Sequence, residues 1–153
     1  MRIVLASSSP RRRSLLSSIG LGFEVVVPDV DESRYPDEEP SMFVERVARA
    51  KAAVIDDPDA VIIAADTTVV FEGRVLGKPA HPNEAIAMLS ALEGERHTVM
   101  TGLAVRRSER MESTVEISEV LFSSLTPDEI AGYVASGEPL DKAGSYGLGG
   151  LGA

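Results

Sequence analysis

Residues 61–65, Val-Ile-Ile-Ala-Ala, form an apolar run without alternation. Successive side chains of a strand point to opposite faces, so a strand of this composition needs apolar cover on both. Residues 2–6, Arg-Ile-Val-Leu-Ala, have the same character. Two such strands in one short chain require helices packed against a sheet, and helical patterns do occur between them. The predicted class is α/β, a single domain of residues 1–153 with a mixed, twisted sheet flanked by helices.

Pro10 sits where a helix would start, Leu15, Leu16 and Ile19 mark one apolar face, and Gly20 offers a C-terminal cap. Residues 23–27 read as a short strand. Residues 28–40 are rich in Asp, Glu and Pro and read as a loop. Ser41 is the expected cap of a second helix, with Phe43, Val47, Ala50 and Val54 on its apolar face and Arg46 and Arg49 off it. After the 61–65 strand, residues 68–71 and 74–76 flank Glu72-Gly73, a hairpin signal. A helix over 82–92 closes at Gly94, and strands follow at 98–105 and 115–122. Thr126-Pro127-Asp128-Glu129 carries a capping Thr, a first-position Pro and a Glu that can return to the cap, which starts a helix ending near Gly137. The glycine-rich stretch 144–153 is either a binding loop or a frayed end.

A chain of 153 residues with 44% hydrophobic content can bury a real core. Its net charge of -9 opposes binding to a nucleic acid polymer. No cysteine is present, which excludes disulfides and thiolate metal sites. The apolar start is short and its arginines come after it, the reverse of a signal peptide, and no apolar run is long enough to span a membrane. A cytoplasmic protein with no membrane partner is expected.

Several residues have types suited to phosphate chemistry. Ser7-Ser8-Ser9-Pro10-Arg11-Arg12 follows a strand and opens a helix. Such a turn presents free backbone N–H groups at the positive end of a helix dipole, and guanidiniums grip phosphate oxygens in pairs. A capped surface helix with solvated arginines is the other reading. Asp66, at the expected end of the 61–65 strand, suits a metal ligand or a general base, or else a turn residue bonding its own backbone. Glu32 can supply a second carboxylate or simply be solvated. Lys51 and Lys78 can meet phosphate or be ordinary surface lysines. His81 and His97 are isolated, and capping or packing suits them better than catalysis.

Taken together, these segments resemble the Maf family. Ser7 to Arg12 with Leu15-Leu16 is similar to its opening motif, and Glu45-Arg46-Val47-Ala48-Arg49-Ala50-Lys51-Ala52 to its Arg-Ala-Lys-Ala helix. Ala65-Asp66-Thr67, Gly77-Lys78-Pro79, His97-Thr98-Val99 with Thr101-Gly102, and Gly137 to Gly147 follow in the family's order. The resemblance covers essentially the whole chain. It implies a fold akin to the inosine triphosphate pyrophosphatases and a metal-dependent enzyme that cleaves nucleoside triphosphates to monophosphate and pyrophosphate. By the resemblance, Asp66, Lys51 and Lys78 would be catalytic. Ser7, Arg11, Arg12, Thr67 and Gly149 would contact substrate, and Glu32 with Asp66 would hold Mg²⁺ or Mn²⁺.

Arg11 and Thr67 match the branch acting on dTTP and UTP. Gly149 stands where that branch has a base-contacting Gln, and a glycine has no amide with which to read a base edge. The family usually continues past residue 153 with a further strand and helix. A form shortened there would expose an edge and an apolar patch that favour either association, as in a homodimer, or instability. Two other functions remain open at this level. One is a nucleotide-binding regulator of low turnover linked to septum formation; the other is a pyrophosphatase for modified purine nucleotides.

Overall fold

The computed structural model describes every residue from Met1 to Ala153. Its strands are β1 (Ile3–Ala6), β2 (Glu24–Val26), β3 (Val61–Phe71), β4 (Arg74–Leu76), β5 (Arg96–Arg107) and β6 (Arg110–Leu121). Its helices are α1 (Pro10–Ser18), α2 (Pro40–Ala53), α3 (Pro82–Leu92) and α4 (Pro127–Ala135). The six strands form one sheet in the order β2-β1-β3-β5-β6, with β4 paired to β3. β1 runs parallel to β2 and to β3, and β3 runs antiparallel to β4, so the sheet is mixed as expected. No helix is long and apolar enough to cross a membrane.

The chain resolves into two compact units, one of residues 1–66 and 101–116, the other of residues 67–100 and 117–153. The core of the first gathers small side chains: Val4, Ala6, Ala48, Ala52, Ala60, Ile62, Ala64 and Ala104. Alanines bring helix and sheet backbones close together. At Gly102, on β5, the approach is so close that a β-carbon there would lie 2.3 Å from the Val44 carbonyl oxygen of α2. The second unit has larger side chains at its centre: Val69, Leu89, Leu92, Ile130, Val134 and Tyr146.

Three local expectations need correction. First, α1 buries none of its residues, and Leu15 and Ile19 are 68% and 66% exposed. Its apolar side chains Leu15 and Leu16 are neighbours, about 100° apart round the axis, with arginines one turn back, so no stripe forms. Second, α2 starts at Pro40 rather than after Ser41, with Glu39 at the cap and no side-chain cap bond. Proline lacks an N–H and has its φ preset, which suits the first helical position. The buried face of α2 is Phe43, Val44, Val47, Ala48, Lys51 and Ala52, while Val54 lies past its end and is exposed. The stripe is turned from the expected one, and the turn carries a lysine into the interior.

The third correction concerns β3. Strand character does not stop at residue 65 but runs unbroken for 11 residues. Beyond Ala65 the ladder continues on β4, with Val69 opposite Leu76. Asp66 is therefore inside a strand, not at its carboxyl end and not in a turn. The Glu72-Gly73 hairpin forms as expected, with φ of 48° and 74° at the two residues, the mirror-image turn that suits strand twist. The Thr126 capping box also forms, with the Glu129 carboxylate accepting from the Thr126 N–H at 2.7 Å.

Candidate functional site

The first unit assembles its polar residues at one point. Asp66, on β3, is placed by its strand register, and Lys51 by the buried stripe of α2. The Lys51 ammonium donates to Asp66 Oδ1 at 2.8 Å and to Glu32 Oε2 at 2.7 Å. Lys51 and Asp66 side chains are 8% and 12% exposed, while that of Glu32 is 52% exposed. One buried cation thus draws a core carboxylate and a loop carboxylate together.

Arg12 adds the second positive group. Its position in the first turn of α1 follows from Ser9, whose side chain accepts from the Arg12 N–H at 3.4 Å. The guanidinium donates to the Ala65 carbonyl at 2.7 Å and to Ser7 Oγ at 3.4 Å. Ser7 is buried at the end of β1, and its hydroxyl also accepts from the Ser9 N–H at 3.1 Å. Arg11, next in sequence, is exposed.

The electrostatics follow from burial. Desolvation raises the Asp66 carboxyl above its ordinary range, against the pull of Lys51 and Arg12. Desolvation likewise lowers the Arg12 guanidinium, with Asp66 opposing. A carboxylate raised in this way is a stronger base than a solvated one, which is what proton abstraction from water requires.

The donor set suits a hard cation. Glu32 and Asp66 present carboxylate oxygens to a common point, now taken by the Lys51 ammonium. No cluster of three or more His, Cys, Asp or Glu exists. Two carboxylates with the remaining ligands from phosphate and water is the usual arrangement for Mg²⁺, so the residues present fit such an ion.

Ser7, Arg12, Glu32, Lys51 and Asp66 are thus brought together within the first unit. Thr67, Lys78 and Gly149 belong to the second unit. Thr67 is half-buried on β3, Lys78 is exposed on the connection from β4 to α3, and Gly149 is exposed before the last turn, Gly150–Gly152. The histidines have the structural roles expected of them. His81 Nδ1 accepts from the Glu84 N–H at 3.2 Å and caps α3. His97 is buried, with Nε2 2.6 Å from the Tyr146 hydroxyl and its ring edge-on to Phe122 and Tyr146. Burial raises the Tyr146 phenol to about 12, so it stays protonated.

Two features escape a reading of the sequence. The Ala65 carbonyl that receives Arg12 carries no sequence signal. Arg46 stands off the apolar stripe of α2 and looks like a solvated residue, yet it binds the loop that carries Glu32.

The architecture is shared with solved proteins. The Staphylococcus aureus Ham1 protein aligns over 78% of this chain and 70% of its own with a TM-score of 0.51, at 17% identity, a likeness of fold alone. Sequence comparison goes further. A dTTP/UTP pyrophosphatase of Moorella thermoacetica is 50% identical over 99% of this chain and 80% of its own length. A Vibrio cholerae protein of the same name is 49% identical over 99% of this chain and 82% of its own. Residues 2–153 match the Maf-like protein family, and the chain belongs to it.

Proposed function

We propose that this chain hydrolyses nucleoside triphosphates, dTTP and UTP foremost, to the nucleoside monophosphate and pyrophosphate. The observation that carries the reading is the Glu32–Lys51–Asp66 cluster beside Arg12: a buried, raised carboxylate next to cations suited to phosphate. The choice of dTTP and UTP rests on the names of the relatives and on the match of Arg11 and Thr67 to that branch.

Arg11 and Arg12 bind phosphate oxygens, and Lys51 stabilises the charge that spreads over them in the transition state. Asp66 takes a proton from water as its oxygen bonds to the α-phosphorus. The bond from that phosphorus to the bridging oxygen breaks, and pyrophosphate leaves. Glu32 and Asp66 would hold Mg²⁺ or Mn²⁺, which when bound would neutralise phosphate charge and orient the attacking water.

The test is a release assay with purified protein, Mg²⁺ or Mn²⁺, and dTTP, UTP, CTP, GTP and 7-methyl-GTP, with phosphate and pyrophosphate measured separately. Pyrophosphate with an equal amount of monophosphate from dTTP and UTP is expected, and excess chelator is expected to abolish it. Nucleotide binding without turnover of any substrate overturns the reading in favour of a binding protein. Preference for 7-methyl-GTP overturns the choice of base.

A further inference from the structure

Glu32 lies on a segment, residues 27–39, that contains no helix or strand, yet its carboxylate meets Lys51. The structure shows what fixes that segment. Arg46, half-buried on α2, donates from Nε to Glu38 Oε1 at 2.6 Å and from Nη2 to Glu38 Oε2 at 2.9 Å, a two-pronged ion pair. Nη2 also donates to the carbonyl of Ser33, the residue after Glu32, at 2.9 Å. The same guanidinium lies over the Tyr35 ring, 4.0 Å from its centre. Glu38 in turn accepts from the Tyr35 N–H at 3.1 Å, and its carbonyl accepts from Arg34 at 2.8 Å.

One planar cation therefore gathers Ser33, Tyr35 and Glu38, all within six residues of Glu32. Only arginine combines a fork for a carboxylate with a flat face for an aromatic ring. Arg46 and Lys51 share one helix, so the residue that grips the loop and the residue that receives Glu32 move together. Arg46 does not itself enter the cluster of Asp66, Lys51 and Glu32.

We infer that Arg46 is a positioning residue that holds Glu32 at the cation site. This rests on the proposed function for the identity of the cation, but its test does not depend on turnover. Groups that orient a metal ligand typically alter metal affinity by about 10–100-fold when removed. The binding of Mn²⁺ to the whole protein, with a non-hydrolysable dTTP analogue present, is followed by the electron paramagnetic resonance of the free ion. Arg46→Ala is expected to weaken Mn²⁺ binding by about 10-fold or more. Arg46→Lys is expected to restore little, since a lysine neither forks nor stacks. Exchange of the Tyr35 and Glu38 amides with deuterium is expected to quicken in Arg46→Ala.

Glu38→Gln removes the fork from the loop side and leaves α2 untouched, so it covers the case in which Arg46→Ala fails to fold. It is expected to weaken Mn²⁺ binding in the same direction. In a Glu32→Gln background, adding Arg46→Ala is expected to change Mn²⁺ affinity less than about twofold, because the ligand being positioned is already gone. Unchanged Mn²⁺ affinity in the single variants, or an equal loss with and without Glu32, overturns the inference. A wild type that binds Mn²⁺ and nucleotide but releases no pyrophosphate overturns the proposed function and leaves the role of Arg46 standing.

Discussion

Gly102→Ala offers a sharp test of how α2 is held against β5. The added β-carbon would stand 2.3 Å from the Val44 carbonyl oxygen, 2.4 Å from its carbon and 2.7 Å from the Glu45 nitrogen. Ordinary contact begins near 3.4 Å, so helix and strand must separate by about 1 Å, and the obstacle is main chain, which has no rotamer to move into. Overpacking of this kind costs about 1–3 kcal/mol, or roughly 2–12 °C in melting temperature for a chain of this length. The same displacement moves Lys51, seven residues along α2 from Val44, away from Asp66, which it now meets at 2.8 Å. A misplacement of about 1 Å at a reacting group costs on the order of 100-fold in rate. Thermal unfolding by circular dichroism and pyrophosphate release below the variant's melting point read the two effects separately. A variant that melts with the wild type would refute the contact. One that melts early but turns over normally would refute the transmission to Lys51.

Three other outcomes are expected. Asp66→Asn keeps an oxygen for Lys51 but cannot take a proton, so turnover should fall by about 10²–10⁴-fold while nucleotide affinity, measured by calorimetry, stays near the wild-type value. Gly149 has φ of -101°, and nothing lies within 4 Å of a β-carbon built there. Gly149→Gln should therefore fold normally and sharpen the preference for dTTP and UTP over CTP; identical relative rates would show that residue 149 does not face the base. Burial lowers the His97 imidazole below its ordinary 6.5, so it contributes stability above that pH that is lost as pH falls toward the folded value, by at most about 1.4 kcal/mol per pH unit. Urea unfolding at pH 8 and pH 5.5 should show a smaller acid loss for His97→Gln than for wild type; equal losses would exclude His97 as the source.

The parts of the fold that local rules govern are legible in the chain. The Glu72-Gly73 hairpin, the Thr126 capping box and the buried strand at β1 each depend on residues a few positions apart, and each forms where the pattern puts it. Asp66 was harder, because the end of an apolar run looks like the end of a strand. Its true setting is decided by β4, which lies ahead in the sequence and extends the ladder past it. Lys51 was legible as a motif residue but not as a buried one, since periodicity counts apolar positions and passes over a charge lying among them. Arg46 lies in a motif segment, but nothing in the sequence points to its contacts: its partners Ser33, Tyr35 and Glu38 come from an irregular loop, and no periodic rule links such a loop to a helix face. His97 was legible as a packing residue, although its Nδ1 faces the main chain of Glu95 without a well-formed hydrogen bond.

The burial of Lys51 sets two kinds of fitness against each other. Its place on α2 is one where a helix of this kind would ordinarily put a leucine, and Asp66 opposite it occupies a strand position between Ala65 and Thr67. Exchanging such an ion pair for matched hydrocarbon is often neutral or stabilising by about 1–4 kcal/mol. A library of variants sorted only for resistance to heat should therefore drift toward Lys51→Met with Asp66→Leu, and its hardiest members should be inert toward nucleotides. Selection that retains both charges is selection for chemistry, and the strain it leaves in the core is the trace by which this site would be found in a chain whose motifs had worn away.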